Sequence, residues 1–428
     1  MNQKATKVRY GVVIVLFITV IINYMDRSNI SIAAPLLTKD LGLDPVKMGL
    51  IFSAFGWTYC ALQIPGGWLL DKLGNRKTHA LGITGFSLAT LLQGFVSGFT
   101  GLFLLRVGLG AFEAPAFPTN SKVAAAWFPE NERARAVSLY TSGQFVGLAF
   151  LTPTLIALQQ WLGWRGLFIL TGIIGIAWAM LWYILYRDPQ HSKRANKEEL
   201  DYIREGGAIF DSAAAEKVAK PKTGLKDFAV VLKSRKLWGI YIGQFSVAST
   251  LWFFLTWFPT YLVEYRGLGF IKTGFLASLP FLAAFVGVIS AGFLSDYLAK
   301  KGVSADIARK VPVITGLLLA TSIIGANYVE STNLVVLFMS IAFFGNGFAS
   351  ITWVFVSLLA PKRLIGIAGG VFNFIGGTAS IIIPIVIGVL AKGGDFAPAL
   401  TFIACVTLAG ALSYIFLVGK LERVPDVK

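Results

Sequence analysis

Apolar runs of about 20 residues, separated by short polar turns, recur from one end of the chain to the other. An α-helix of that length crosses the roughly 30 Å hydrocarbon core of a bilayer. The runs are continuously apolar rather than alternating. In lipid a helix satisfies its own backbone polar groups, so the pattern predicts membrane helices and not barrel strands. Twelve spans are predicted, near residues 10–37, 48–70, 79–98, 100–125, 134–158, 165–186, 237–263, 272–297, 310–328, 334–360, 364–391 and 397–418. The longest polar stretch, 187–236, divides them six and six. The expected class is therefore an all-α membrane protein of two six-helix bundles, 1–186 and 237–428, joined by a linker. Within the linker, "NKEELDYIREGG" predicts a short surface helix ended by glycine, with the rest flexible.

Composition agrees, with 55% hydrophobic and 14% charged residues. The formal net charge of +16 would fit a nucleic-acid partner if the basic residues were clustered on one face. They instead follow the topology. One set of alternate loops holds only Lys39, Lys47, Arg165, Arg266, Lys272 and Lys392, and nearly all the other Lys and Arg lie in the opposite loops, the linker and the termini. The positive-inside rule then puts both termini and the linker in the cytoplasm. Lys4, Lys7 and Arg9 before an apolar stretch resemble a signal peptide, but Asp26, Arg27 and Asn29 interrupt what should be a clean apolar segment. Cys60 and Cys405 fall inside spans, leaving no disulfide framework and no metal cluster. His79 and His191 lie at span ends on the cytoplasmic side, so no buried histidine relay is expected. No nucleophile or acid–base constellation indicates an enzyme, and no cofactor or metal is expected.

The two halves echo one another. "GWLLDKLGNRK" follows the second span and "GFLSDYLAKKG" the eighth, pairing Gly67 and Asp71 with Gly292 and Asp296. Six plus six helices related by a repeat is an architecture of membrane transporters. The first of these loops resembles the signature of the major facilitator superfamily, which implies that Gly67, Asp71 and Arg76 form a cytoplasmic gate. An ordinary positive-inside loop is the alternative. Together with "NYMDRSN", "GAFEAPAFPTN", "YTSGQFVGLAFLTP", "LWFFLTWFPTYL", "FFGNGFASITW" and "GVFNFIGG", it resembles the anion:cation symporter family, and within it the bacterial proton symporters of sugar acids.

Four charged side chains remain inside spans: Asp26, Arg27, Arg106 and Glu113, all in the first half. Each costs several kcal/mol at such depth unless it faces a polar cavity or a partner. Two acids and two bases make a neutral set. A structural ion pair would account for Asp26 and Arg27, and hydrogen-bonded packing near the Pro115 and Pro118 kinks would account for Glu113. Adjacent residues on a helix point about 100° apart, so Asp26 and Arg27 need not pair with each other. The functional alternative uses chemistry: a buried carboxyl can change protonation, while an arginine keeps its proton and matches a carboxylate with a planar fork. The resemblance implies that division of roles, with Asp26 and Glu113 carrying protons and Arg27 contacting the substrate carboxylate. Arg106, two turns from Glu113 on nearly the same face, is placed with the coupling set, a purely structural counter-ion being its alternative. Tyr24, Tyr59, Gln144, Ser350, Thr352, Trp353 and Asn373 are candidate partners for sugar hydroxyls, each of which could instead serve packing or interhelical bonding.

These readings converge on a proton-coupled symporter importing a sugar acid, with a hexonate such as D-galactonate expected first. Glucarate or another organic anion, and facilitative uniport, are the alternatives. A cavity between the halves near the bilayer midplane is expected. The expected setting is a bacterial inner membrane, as a monomer surrounded by lipid.

Overall fold

In the computed structural model, residues 5–209 and 225–425 are described, and their secondary structure is entirely helical or irregular. The first six spans are α1 (Val8–Leu41), α2 (residues 45–73), α3 (residues 75–93), α4 (Phe99–Trp127), α5 (residues 130–162) and α6 (residues 164–185). Two linker helices follow, α7 (Lys197–Glu205) and α8 (Leu225–Lys233). The last six spans are α9 (Arg235–Thr256, continued by Phe258–Tyr265), α10 (Phe270–Lys300), α11 (Asp306–Tyr328), α12 (Thr332–Leu359), α13 (Ile365–Leu390) and α14 (Ala397–Val418).

Among the described residues, eight helices are long and apolar enough to cross a membrane, and α9, bent by 53° before Phe258, makes a ninth. The predicted twelve are recovered when three further features are counted. The continuous helix Glu130–Leu185 turns back at Gly163 (φ 69°) and so contributes both α5 and α6. α2 and α3 meet at Gly74 (φ 77°). These left-handed backbones are ones that L side chains avoid and glycine adopts freely. α2 and α3 fall short of the general pattern because α2 is interrupted at Leu62 and their junction carries Asp71, Lys72, Arg76 and Lys77.

By closeness in space the chain forms two units. Unit 1 comprises residues 1–29, 57–148 and 162–220; unit 2 comprises 30–56, 149–161 and 221–428. Unit 2 thus includes the distal part of α1, the start of α2 and the end of α5. Close backbone approach holds them there. A Cβ on Gly49 of α2 would come within 2.5 Å of the Pro384 carbonyl of α13, and one on Gly388 within 2.5 Å of the Pro45 carbonyl. Phe52 meets Trp257 edge-on at 5.2 Å, and the Trp257 indole donates to the Pro384 carbonyl. In lipid such contacts stabilise by dispersion and hydrogen bonding, since apolar side chains gain little by leaving an apolar solvent. The apolar core of unit 2 includes Leu237, Tyr241, Leu317, Phe355, Phe372 and Tyr414.

The linker helix predicted from "NKEELDYIREGG" is α7. Asn196 caps it by accepting from the Glu199 backbone N–H, and glycines 206 and 207 end it. The helix is docked rather than merely solvated. Glu199 is fully buried and accepts from the Thr6 hydroxyl, the Val8 and Arg9 backbone N–H groups and the Arg9 guanidinium. It caps the first turn of α1, where a helix presents unpaired donors and partial positive charge. Arg9 also pairs with Glu132 at the start of α5. The rest of the linker, expected to be flexible, is ordered in its described parts, residues 187–195 by bonds to the end of α6 and within their own turn, and residues 225–233 as α8. Residues 210–224 lie outside the described residues.

Candidate functional site

The four intramembrane charges all lie in unit 1, and all four are buried. Arg27 does not pair with its chain neighbour. Its Nε donates to Glu113 Oε1 at 2.7 Å, linking α1 to α4. Glu113 sits where α4 breaks: the first segment ends at Glu113, Pro115 follows, and the helix resumes at Ala116. The Arg27 guanidinium lies over two aromatic rings, Tyr24 at 4.8 Å and Tyr59 at 4.9 Å. The Tyr24 hydroxyl donates to Gln144 Oε1 at 2.8 Å. Five predicted residues from α1, α2, α4 and α5 are therefore one connected group: a cation, its carboxylate, two phenols and an amide.

Asp26 points elsewhere. Its carboxylate accepts from Ser87 Oγ at 3.4 Å and Asn29 Nδ2 at 3.5 Å, and Asn29 also donates to Thr171 Oγ1 at 2.8 Å. Both bonds to Asp26 are long and made to neutral donors, so the carboxyl lacks a direct cationic partner among these contacts. Arg106, fully buried on α4, interacts electrostatically with Glu113 and with Asp26, and so lies in the field of both acids. Ser87 and Thr171 were missed by sequence reasoning, and Asn29 was read only as a polar interruption of its span. Small polar residues in spans are common helix-packing groups, and no charge marked these three.

In unit 2 the predicted residues are neutral. Ser350 and Thr352 lie on a 3-10 turn, Ala349–Thr352, that interrupts α12 just before Trp353. Such a local tightening within a longer helix often marks a functional site. Thr352 Oγ1 donates to Gln244 Oε1 on α9 at 2.8 Å. Gln244 was also missed; its available signal was a lone amide in an apolar run, "IGQFS", matching the "SGQFV" that holds Gln144. Trp353 is half exposed and packs edge-on against Phe372 at 4.9 Å, while Asn373 is half buried on α13.

At the end of unit 1 that carries the linker, Asp71 accepts from Lys122 Nζ at 2.9 Å, both side chains being exposed. Arg76 donates through Nε and Nη2 to the Tyr183 carbonyl of α6 and stacks on the Tyr183 ring at 3.8 Å. A Cβ on Gly67 would meet nothing within 4 Å, whereas the adjoining Gly66 lies against Pro115. His79, expected at a span end, lies near the start of α3. It is buried against Trp182, with ring centroids 4.5 Å apart, because α3 packs its first turn on the end of α6.

The four charges thus form a neutral buried set in an apolar helical unit, beside two phenols and an amide. Residues 16–384 match the model of the Major Facilitator Superfamily. The chain belongs to that superfamily. Its fold therefore is that of a multi-pass membrane transporter, as the twelve spans imply. Among superfamily members, the D-galactonate transporter of Escherichia coli O6:H1 is 54% identical over 417 residues, covering 97% of each chain. A probable galactarate/D-glucarate transporter of Escherichia coli K12, GarP, is 42% identical over 431 residues, covering 99% of this chain and 97% of that one. Among solved structures, a D-xylose-proton symporter has the same fold, with a TM-score of 0.73 at 15% identity, covering 96% of this chain and 98% of that one.

Proposed function

We propose that this transporter imports a sugar acid, D-galactonate or a closely similar hexonate, together with protons. The observation that carries the reading is the buried Arg27–Glu113 pair between Tyr24 and Tyr59. A guanidinium offers parallel N–H groups that fit a carboxylate, and here one of them is held by Glu113. When Glu113 takes a proton, its hold on Arg27 weakens and the cation is available to a substrate carboxylate. When the substrate leaves, Glu113 can lose its proton and reclaim Arg27. Binding and protonation are thereby linked through one shared partner. Asp26, bonded only to neutral donors in the contacts above, is assigned the second proton, and Arg106 keeps the acid pair electrostatically compensated. Tyr24, Tyr59 and Gln144 in one unit, and Ser350, Thr352, Trp353 and Asn373 in the other, are assigned to the hydroxyls.

The assignment to a monocarboxylate is supported by the setting of the two arginines. Arg27 is flanked by hydrogen-bonding phenols, whereas Arg106 is enclosed with the acids. The similarity to a D-galactonate transporter points the same way. A hexarate is the second reading, favoured by the galactarate/D-glucarate relative. The basic loops support an inner-membrane orientation with cytoplasmic termini, and the helix count supports bundles 1–186 and 237–428 around the linker 187–236; a monomer is assigned as the working unit. Gly67, Asp71 and Arg76 are assigned to the cytoplasmic gate.

A monovalent anion entering a negative-inside cell works against about 2.3 kcal/mol per 100 mV, which one proton cancels and a second converts into net driving force. Two protons per substrate is the expected stoichiometry. Uptake by proteoliposomes, screened over galactonate, gluconate, galactarate and glucarate with imposed pH and voltage gradients, tests the proposal. The expected result is hexonate-selective accumulation driven by the proton gradient with inward positive current. Undiminished accumulation without a proton gradient would sink proton coupling.

A further inference from the structure

A cleft of about 560 Å³ opens at the linker-bearing end of unit 1, between α1 and α6. It plays no part in the charged cluster. Its wall is apolar: Val8, Gly11 and Val15 on α1 face Ile184 and Leu185 on α6. Ile184 and Leu185 are 62% and 38% exposed, and a Cβ on Gly11 would meet nothing within 4 Å. The rim is basic, formed by Arg187, Lys193 and Arg194 with His191 and Ser192, and no acidic residue lines the cleft.

That rim is held by specific bonds. After α6 the chain turns through Pro189–His191, and Ser192 Oγ accepts from the Arg194 and Ala195 backbone N–H groups. The next residue, Asn196, is stapled to the segment before α1: Thr6 N–H donates to Asn196 Oδ1, and Asn196 N–H donates to Thr6 Oγ1, both at 3.0 Å. The basic segment is thus returned over the groove between α1 and α6. Arg187 donates to the last carbonyls of α6. Asp188, the one acid in this turn, has its carboxylate directed away, accepting from Asn75 and from the Tyr186 hydroxyl.

We propose that this cleft binds an anionic glycerophospholipid, with an acyl chain against the apolar wall and the phosphate at Lys193 and Arg194. Exposed Ile and Leu at a span end face acyl chains, and the basic residues adjoin them at headgroup depth. A basic pocket between spans beside an anionic surface has the complementary charge. A neutral or zwitterionic lipid would fill the groove without using the rim. A free anion would use the rim without filling the groove.

The test uses the full-length protein, delipidated in detergent and titrated with phosphatidylglycerol or phosphatidylethanolamine, with retention read by native mass spectrometry. Phosphatidylglycerol should bind selectively, and Lys193→Glu with Arg194→Glu should weaken it on the order of tenfold or more, as two reversed charges at a lipid surface imply. Gly11→Trp, which fills the wall and leaves the rim intact, should also lower retention. Lys193→Arg with Arg194→Lys should restore it and shows that the segment tolerates substitution. Equal retention of the two lipids, or no change in both disruptive variants, would overturn the site. Displacement by millimolar inorganic phosphate would overturn the lipid as its occupant. None of these readouts depends on which solute is transported.

Discussion

Unit 1 and unit 2 are both built from membrane helices, yet among the described residues unit 1 adds buried charges to its buried hydroxyls and amides and unit 2 does not. Unit 1 buries Asp26, Arg27, Arg106 and Glu113 within its spans. Among the described residues of unit 2, the buried polar side chains are hydroxyls and amides, such as Thr352, Ser246, Ser380 and Asn346. The difference separates two tasks by energy. A buried ion left without its partner costs about 3–5 kcal/mol, whereas a neutral hydrogen bond contributes about 0.5–1.5 kcal/mol. On the proposed mechanism, protonation of a group in unit 1 would have the leverage to reorganise that unit, and hydrogen bonds in unit 2 would have the scale needed to discriminate hydroxyl patterns.

The largest expected effect comes from breaking the charged side of this contrast. Arg27→Lys keeps the charge but loses the planar fork and the Nε that Glu113 accepts from, so substrate affinity should fall at least a hundredfold, equivalent to about 3 kcal/mol. Isothermal titration with D-galactonate measures this directly. Affinity within threefold of the parent would return Arg27 to a structural role and leave the contrast without its functional meaning.

The next two substitutions sharpen the division within unit 1. Glu113→Gln mimics the protonated acid and weakens its claim on Arg27, so binding should persist while accumulation against a gradient is lost. Asp26→Asn should abolish accumulation as well. Its protein should be less perturbed in melting temperature, because its bonds to Ser87 and Asn29 can be replaced by an amide. If Glu113→Gln still concentrates substrate under a proton gradient, the shared-partner mechanism fails.

Much of this contrast was legible in the chain. Four charges in otherwise apolar runs are costly enough to announce themselves, and their confinement to the first half required only the span positions. The pairing was not legible. Arg27 adjoins Asp26 in sequence and bonds Glu113, 86 positions away, because the helix directs neighbouring side chains apart and the α4 break presents Glu113. Gln244 stayed hidden for an energetic reason: a neutral amide in a span is cheap enough to occur for packing alone. The reversals at Gly74 and Gly163 fall within the predicted gaps between spans, but that a single glycine makes each turn was not legible, since a positive φ leaves no composition signal. The docking of α7 through Glu199 was missed because an acidic residue in a polar linker reads as solvated.

The neutral side should respond on a smaller scale. Thr352→Val and Gln244→Ala each remove one half of the α9–α12 bond, and a double-mutant cycle should give a coupling of about 0.5–1.5 kcal/mol in substrate affinity or stability. Proton-driven accumulation should survive in both, with a raised half-saturation concentration. A variant in this pair that lost proton dependence while retaining affinity would transfer coupling to unit 2 and break the comparison.

The smallest effect is expected where a charge pair is present but solvated. Asp71 and Lys122 meet at 2.9 Å with both side chains exposed, and such pairs are worth about 0.2–1 kcal/mol because water screens them and their side chains lose freedom on pairing. Lys122→Met should shift the melting temperature by no more than a few degrees and leave substrate affinity unchanged. Raising the salt concentration should reduce even that difference. If Asp71 serves the gate, its own removal should slow turnover more than the loss of Lys122 does, since Lys122 would hold it in only one of the states it visits. Equal slowing by Asp71→Asn and Lys122→Met would make the observed pair itself the gate, and unchanged turnover in both would confine that loop to topology.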